Sequence, residues 1–476
     1  MSLDKDLAEF SVKFAQKSGA SYAEARIENV FTENFILKNG TAEVADLTTE
    51  KGIGIRVLAN GGAAFTASEH LDKQTIQKRI KDAIRFAIVS ATHNKEAIAL
   101  SEEKASKARW EVKAKRKIED VSSKEKLALL LDAEKNMSKI KNKVPSRFMQ
   151  MTNTINEKYY VNSDGSRISS LQPRVMVYYS LVAIAGGQSE QRYFQLGNSG
   201  GWEVVKKWNF IDKITNEAQT LLKIIEKAKS APNEPTDVVL SPELVGIIVH
   251  ESSGHPSELD RIFGREGAQA GESFLTTDWL GRRIGSNEVT TVDFPAIDKN
   301  AYGYYEFDDE GIPAKKRFLI KDGMINEFLN NREYARKVNA HSNGAARASK
   351  YDREPLVRMA NTYMLPGNHN VDELFEGVKR GVYIKSFTEW NIDDKRWNER
   401  YVGCESWMIE NGKLTHLVRR PILEITTKGF FSAVDARAKD FDTVIGSCGK
   451  GDPMQGVPVC MGGPHIRLRN VLIKGG

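Results

Sequence analysis

Ser230-Ala231-Pro232-Asn233-Glu234-Pro235 is the stretch on which the reading of the fold turns. Two prolines within six residues cannot continue a helix or lie inside a central strand. The stretch ends a helical pattern over 210–231 and separates two halves of different character, so it marks the main domain boundary. Before it, an amphipathic opening helix with Leu7, Phe10, Phe14 and Ala15 on one face precedes strand-like runs at 23–27 and 31–37. The run Gly52-Ile53-Gly54-Ile55-Arg56-Val57-Leu58 enters a tight turn at Asn60-Gly61-Gly62 and returns as a hairpin. Helices are predicted over 73–91 and 122–140, and a strand over 174–185. After the boundary, Lys321-Asp322-Gly323 and Asn411-Gly412-Lys413 each sit between strand-like segments, the strongest short-range hairpin signal. The expected fold is α+β: residues 1–231 as an N-terminal α+β domain, then 236–476 as a largely antiparallel, β-rich domain carrying the metal-binding helix.

The composition agrees with a soluble protein of more than one core. The chain has 476 residues, 28% of them charged and 40% apolar, and single cores stop growing well below that length. A net charge of +6 arises from 69 basic and 63 acidic residues. The Lys-dense stretch 104–143 contains Glu111, Glu119, Asp120, Glu125, Asp132 and Glu134. It reads as a solvated helical face and not as a phosphate-binding stripe, so no nucleic-acid partner is expected. Three cysteines, Cys404, Cys448 and Cys460, argue against a disulfide framework and for a reducing compartment. The first residues lack a secretory apolar region, and no window approaches a membrane span. Cytoplasmic residence is the expectation.

One segment stands apart: Val249-His250-Glu251-Ser252-Ser253-Gly254-His255-Pro256. Two imidazoles and an adjoining carboxylate are the residue types a hydrolytic zinc centre needs. The spacing is unusual. Histidines four apart lie about 40° apart around an α-helix, but five apart they lie about 140° apart and face different sides. Gly254 and Pro256 suggest the remedy: a helix from Pro242–Leu244 that breaks at Ser253-Gly254, with His255 on a bent connector. Pro256 would then open a new helix whose first amides Glu258 helps to satisfy.

Two histidines are too few for a catalytic zinc, which takes three protein ligands and leaves a position open. Candidates for the third are His341, His369, His416, His465, the three cysteines and the carboxylates. Cys448 leads: it lies in the glycine-rich Ile445-Gly446-Ser447-Cys448-Gly449-Lys450-Gly451, read as a loop, with Lys450 close enough to favour the thiolate. Cys404 and Cys460 sit in strand-like contexts that suit buried inert thiols.

With the 52–57 run, the motif segment through Asp260, Phe307-Asp308-Asp309-Glu310-Gly311, Arg358-Met359-Ala360-Asn361-Thr362-Tyr363-Met364-Leu365-Pro366-Gly367 and Cys448-Gly449-Lys450, the chain resembles the TldD/PmbA family. It is similar to the TldD type, which keeps a His-Glu-x-x-x-His motif and a late cysteine as zinc ligands. Leu259 and Pro256 depart from the family pattern without touching a ligand. The resemblance implies one Zn²⁺ per chain on His250, His255 and Cys448, with Glu251 as general base. It also implies short or unfolded peptides as substrates, and a heterodimer with a PmbA-type paralogue or a homodimer. A strand edge in the second domain is expected to hold a peptide in extended form. Asp308, Asp309 and Glu310 read as a solvated turn, while Asn361, Thr362 and Tyr363 either line a cavity or order a strand. A non-catalytic peptide-binding or maturation subunit is the alternative, and it gives no reason for Glu251.

Overall fold

In the computed structural model, which describes residues 3–266 and 271–475, the first half is a sheet of long strands with its two faces used differently. Met1 and Ser2, the start of the opening stretch, lie outside the described residues. Tyr22–Lys38, Thr41–Ala59 and Gly62–Ser68 form a meander. Its turns are Asn39-Gly40 and Asn60-Gly61, all four residues at positive φ, as type I′ hairpins require. Ser146–Asn162 and Arg167–Ala185 extend the sheet, and Lys107–Glu111 and Gln188–Ser199 both pair with Arg167–Ala185.

Residues of one parity, among them Ala23, Ala25, Ile27, Phe35 and Leu37, face helices. Lys5–Lys17 and Lys73–Ala91 cover one end through Leu7, Val12, Ile76 and Ile80. Ser123–Met137 and Phe210–Lys227 cover the other through Leu130, Ala133, Phe210 and Leu221. The opposite parity meets the second half of the chain. A Cβ on Gly52 would stand 2.2 Å from the Tyr351 ring, and one on Gly54 would stand 2.1 Å from the Tyr351 carbonyl oxygen. Arg56 pairs with Glu310 at 2.7 Å, and the Arg26 guanidinium donates to the carbonyls of Lys350 and Arg353. The glycines and arginine that stand out in the sequence are thus the docking face of this sheet.

Two expectations need correction here. The 104–143 stretch is not one helical face: Lys107–Glu111 is a strand with Trp110 buried, and only Ser123–Ile140 is helical. Lys126 is itself buried and pairs with Glu33 at 2.5 Å. Asp308, Asp309 and Glu310 are buried, not solvated. Asp308 accepts from the Glu310, Ile312 and Ala346 amides, Asp309 from Lys158 and the Ala348 amide, and Glu310 from Arg56 and the Arg332 amide. An acidic turn is stable inside when cations and amides surround it.

The second half holds a six-stranded sheet and all but one strand, Lys229–Ser230, of a ten-stranded sheet, mostly antiparallel, with parallel pairings such as Asn361–Met364 on Gln455–Gly463 and Arg380–Ile384 on Glu234–Leu240. The chain is an α+β protein. Between the two sheets runs the helix Pro242–Val249, which follows the Glu234–Leu240 strand. Its sequence is apolar on every side, and Leu244 through Val249 are all buried, as a helix between two layers must be. Gly246 lets it lie against the opposing strand, since a Cβ there would come within 2.8 Å of the Gly462 amide nitrogen. This helix leads directly into the motif.

Candidate metal centre

The helix does not break at Ser253-Gly254. It widens: His250–Gly254 forms a π turn, and the His255 amide donates to the His250 carbonyl five residues back. A π turn closes i to i+5 hydrogen bonds and so brings residues five apart over one another. His255 keeps right-handed helical angles (φ −58, ψ −44) despite the following proline, so the expected bent connector is absent. Gly254 is also right-handed, at φ −68. Its small size serves contact instead, because a Cβ would meet the Met359 sulfur at 1.8 Å. Pro256 sits in the first turn of a 3₁₀ segment, His255–Ser257.

The result is a cluster of His250, His255 and Cys448 whose ligand atoms all lie within 4.8 Å of one another, each residue buried. The imidazole rings are 4.9 Å apart at 80°, and His255 Nε2 is 3.4 Å from Cys448 Sγ. Cys448 comes from the strand Asp442–Lys450, paired with Val457, and not from a loop. Strand alternation turns Gly446, Cys448 and Lys450 inward. Of the other candidates, the His341 and His369 side chains are largely exposed, and His416 is half-buried against Thr415. His465 bonds Asp440 and Tyr383. Cys404 and Cys460 are buried elsewhere; burial pushes the Cys404 thiol up to about 12 and raises that of Cys460.

Burial lowers the pKa of both His250 and His255, which favours the neutral rings that metal ligation needs. For Cys448 burial acts upward, but His255 and the Arg358 guanidinium outweigh it and bring the thiol down to about 7. Arg358 donates to the Cys448 carbonyl oxygen. Lys450, expected to favour the thiolate, turns instead to Glu258 and Asp260. Glu258 stands at the N-cap of the short helix Leu259–Ile262, but its side chain makes no capping bond there: its Oε2 lies 3.1 Å from His255 Nδ1, 3.2 Å from Arg261 Nε and 3.1 Å from Lys450 Nζ. Burial would raise its pKa, but Lys450, His255 and Arg261 hold it well below the ordinary carboxylate range. A carboxylate can only accept, so Glu258 favours Nδ1–H on His255, and Nε2 faces the cysteine. His250 Nδ1 is buried and has no hydrogen-bond partner among the described residues, which fits a ring whose bonding is completed by a metal.

Glu251 is buried beside the cluster and accepts a hydrogen bond from Arg396. Glu399 lies behind it, bonded by Ser252, Thr427 and Tyr401, and burial raises its carboxyl to about 7. Sequence reading missed Glu258, Arg358, Arg396 and Glu399 as neighbours of the site. Only the His255-x-x-Glu258 spacing offered a local signal; the other three arrive by tertiary folding. Asn361–Met364 is a strand, and Asn361, Thr362 and Tyr363 also line a cleft of about 890 Å³ between the two halves.

The C-terminal, central and first-domain profiles of the PmbA/TldA metallopeptidases match residues 233–475, 116–230 and 23–88. The chain belongs to this family. A metalloprotease of Methanocaldococcus jannaschii is 31% identical over 94% of this chain and 95% of its own length. A zinc metalloprotease TldD homolog of Saccharolobus solfataricus is 25% identical over 98% and 99%. Among solved structures, TldE from Thermococcus kodakarensis shares the fold, with a TM-score of 0.73 at 15% identity over 98% of this chain and all of that one. These relatives place the PmbA/TldD-family chain among metallopeptidases. Among its described residues no helix is long and apolar enough to cross a membrane.

Proposed function

We propose that this protein is a zinc-dependent peptidase of the TldD type, holding one Zn²⁺ per chain on His250, His255 and Cys448. The observation that carries the reading is the buried convergence of two imidazoles and a thiol. Two nitrogens and one sulfur suit zinc and leave a fourth position open. When bound, the metal supplies a Lewis acid that acidifies water and polarises a peptide carbonyl. Glu251 takes the proton of the attacking water on a carboxylate oxygen and passes it to the leaving amine nitrogen. Glu258 keeps His255 in the tautomer that presents Nε2.

Short or unfolded peptides are the substrates in this reading. Asp442–Lys450 is the outer strand of the six-stranded sheet, it carries Cys448, and its Asp442–Ile445 end lines the large cleft. Main-chain pairing along such an edge accepts many sequences. The same reading divides the chain at 231/236, makes it cytoplasmic and pairs it with a PmbA-type paralogue or a second copy. The test is hydrolysis of an unfolded polypeptide by wild type, with and without chelator, and by Glu251→Gln. Loss of cleavage in both cases, with metal retained by the variant, is expected. Chelator-insensitive cleavage contradicts the metal, and an active E251Q contradicts the base. A wild type that carries zinc but cleaves no peptide favours the binding-subunit alternative.

A further inference from the structure

We propose that Arg396 is the positioning residue of the catalytic base: it holds one oxygen of Glu251 and so presents the other to the attacking water. The proposal rests on Glu251 acting as base.

Arg396 lies in the turn between the strands Phe387–Ile392 and Asn398–Gly403, distant in sequence from the motif. Its Nη1 donates to Glu251 Oε2, and among the described residues Glu251 has no other hydrogen-bond donor. Both side chains are more than nine-tenths buried. A carboxylate held at one oxygen by a fixed guanidinium has its remaining oxygen defined in direction, which a general base requires.

The backbone argues that the side chain at 396 is what the position needs. Arg396 has φ +63, where side chains other than Asn and Asp are strained. Of the nine described non-glycine residues at positive φ, seven are Asn or Asp; only Arg396 and Arg420 are not. Glycine or asparagine would make this turn without strain, so a guanidinium is present in spite of the backbone. The turn also has its own supports. Asp393 accepts from the Trp397 and Asn398 amides, Thr427 donates to the Arg396 carbonyl, and the Phe274 amide donates to the Lys395 carbonyl. Phe274 packs on Trp397 at 5.0 Å between ring centroids. With the turn fixed from these sides, the ion pair to Glu251 is not what holds it in place.

Arg396→Ala, Arg396→Lys and Glu251→Gln are compared with wild type in the full chain, on an unfolded polypeptide, with zinc content measured for each. R396A is expected to lose about 10²-fold in kcat, with KM within about threefold and metal unchanged. R396K recovers part of the loss, and guanidinium chloride below denaturing concentration restores R396A where equal potassium chloride does not. A crystal structure of R396A shows the Glu251 carboxylate displaced while His250, His255 and Cys448 stay. If R396A is insoluble, R396K alone decides: kcat within twofold of wild type with Glu251 moved overturns the proposal. Wild-type kcat in R396A, or a loss that guanidinium does not rescue, also overturns it. An active E251Q fails the base reading itself, whereas an inactive E251Q beside a fully active R396A fails only this proposal.

Discussion

Cys448 Sγ lies 3.4 Å from His255 Nε2 although 193 residues separate them in the chain. The contact is made by a strand edge of one sheet reaching a helix end that lies between two sheets. It ties the candidate metal centre to the folding of the whole second half, so local changes at either element should be felt at the other.

Glu258 holds His255 from behind, at Nδ1, while Nε2 faces Cys448. Glu258→Gln keeps the shape but removes the charge facing Lys450 and Arg261. Metal affinity is expected to fall about 10- to 100-fold, read by competition with a graded series of chelators. Unchanged affinity would mean that the carboxylate serves folding only.

The docking of the two halves through glycine is open to a stability test. Gly54→Ala places a Cβ 2.1 Å from the Tyr351 carbonyl oxygen, which is backbone and cannot swing aside. The expected cost is about 1–3 kcal/mol or more, measured by urea unfolding. Ala23→Gly, on the helix-covered face of the same sheet, makes no such clash and serves as the comparison.

Glu399 gives a pH signature. Its carboxyl is raised by burial from 4.5 to about 7, so the folded state binds its proton more tightly than the unfolded chain does. Its contribution to stability is therefore complete below about pH 4.5 and is lost as pH rises toward 7. Glu399→Gln, which cannot ionise, removes that loss. The stability of E399Q relative to wild type is expected to climb between these pH values by about 1–3 kcal/mol and then level off. A difference that does not vary with pH would show that Glu399 is ionised throughout.

Much of this was legible in the sequence because it was local. Lys73–Ala91 forms as its periodicity predicts, and the Asn60-Gly61 hairpin turn forms where its turn residues place it. His250, Glu251 and His255 were readable as a set from residue type alone. What misled was geometry that only packing decides. The five-residue spacing suggested a break, yet a π turn absorbs the extra residue at the point where Gly254 meets Met359. Gly446 and Gly449 suggested a loop around Cys448, but pairing with the Gln455–Gly463 strand holds it extended. The acids at 308–310 looked solvated because their partners, Lys158, Arg56 and the Arg332 amide, are remote in the chain.

Zinc content of the purified protein, by mass spectrometry, for wild type, Cys448→Ala, His255→Ala and Cys404→Ala, tests the central claim most directly. About one zinc per chain in wild type and C404A, with loss of metal from C448A and H255A while each remains folded, is the result this account predicts. Zinc that survives in C448A, or a folded wild type that binds none when supplied with it, would contradict the account.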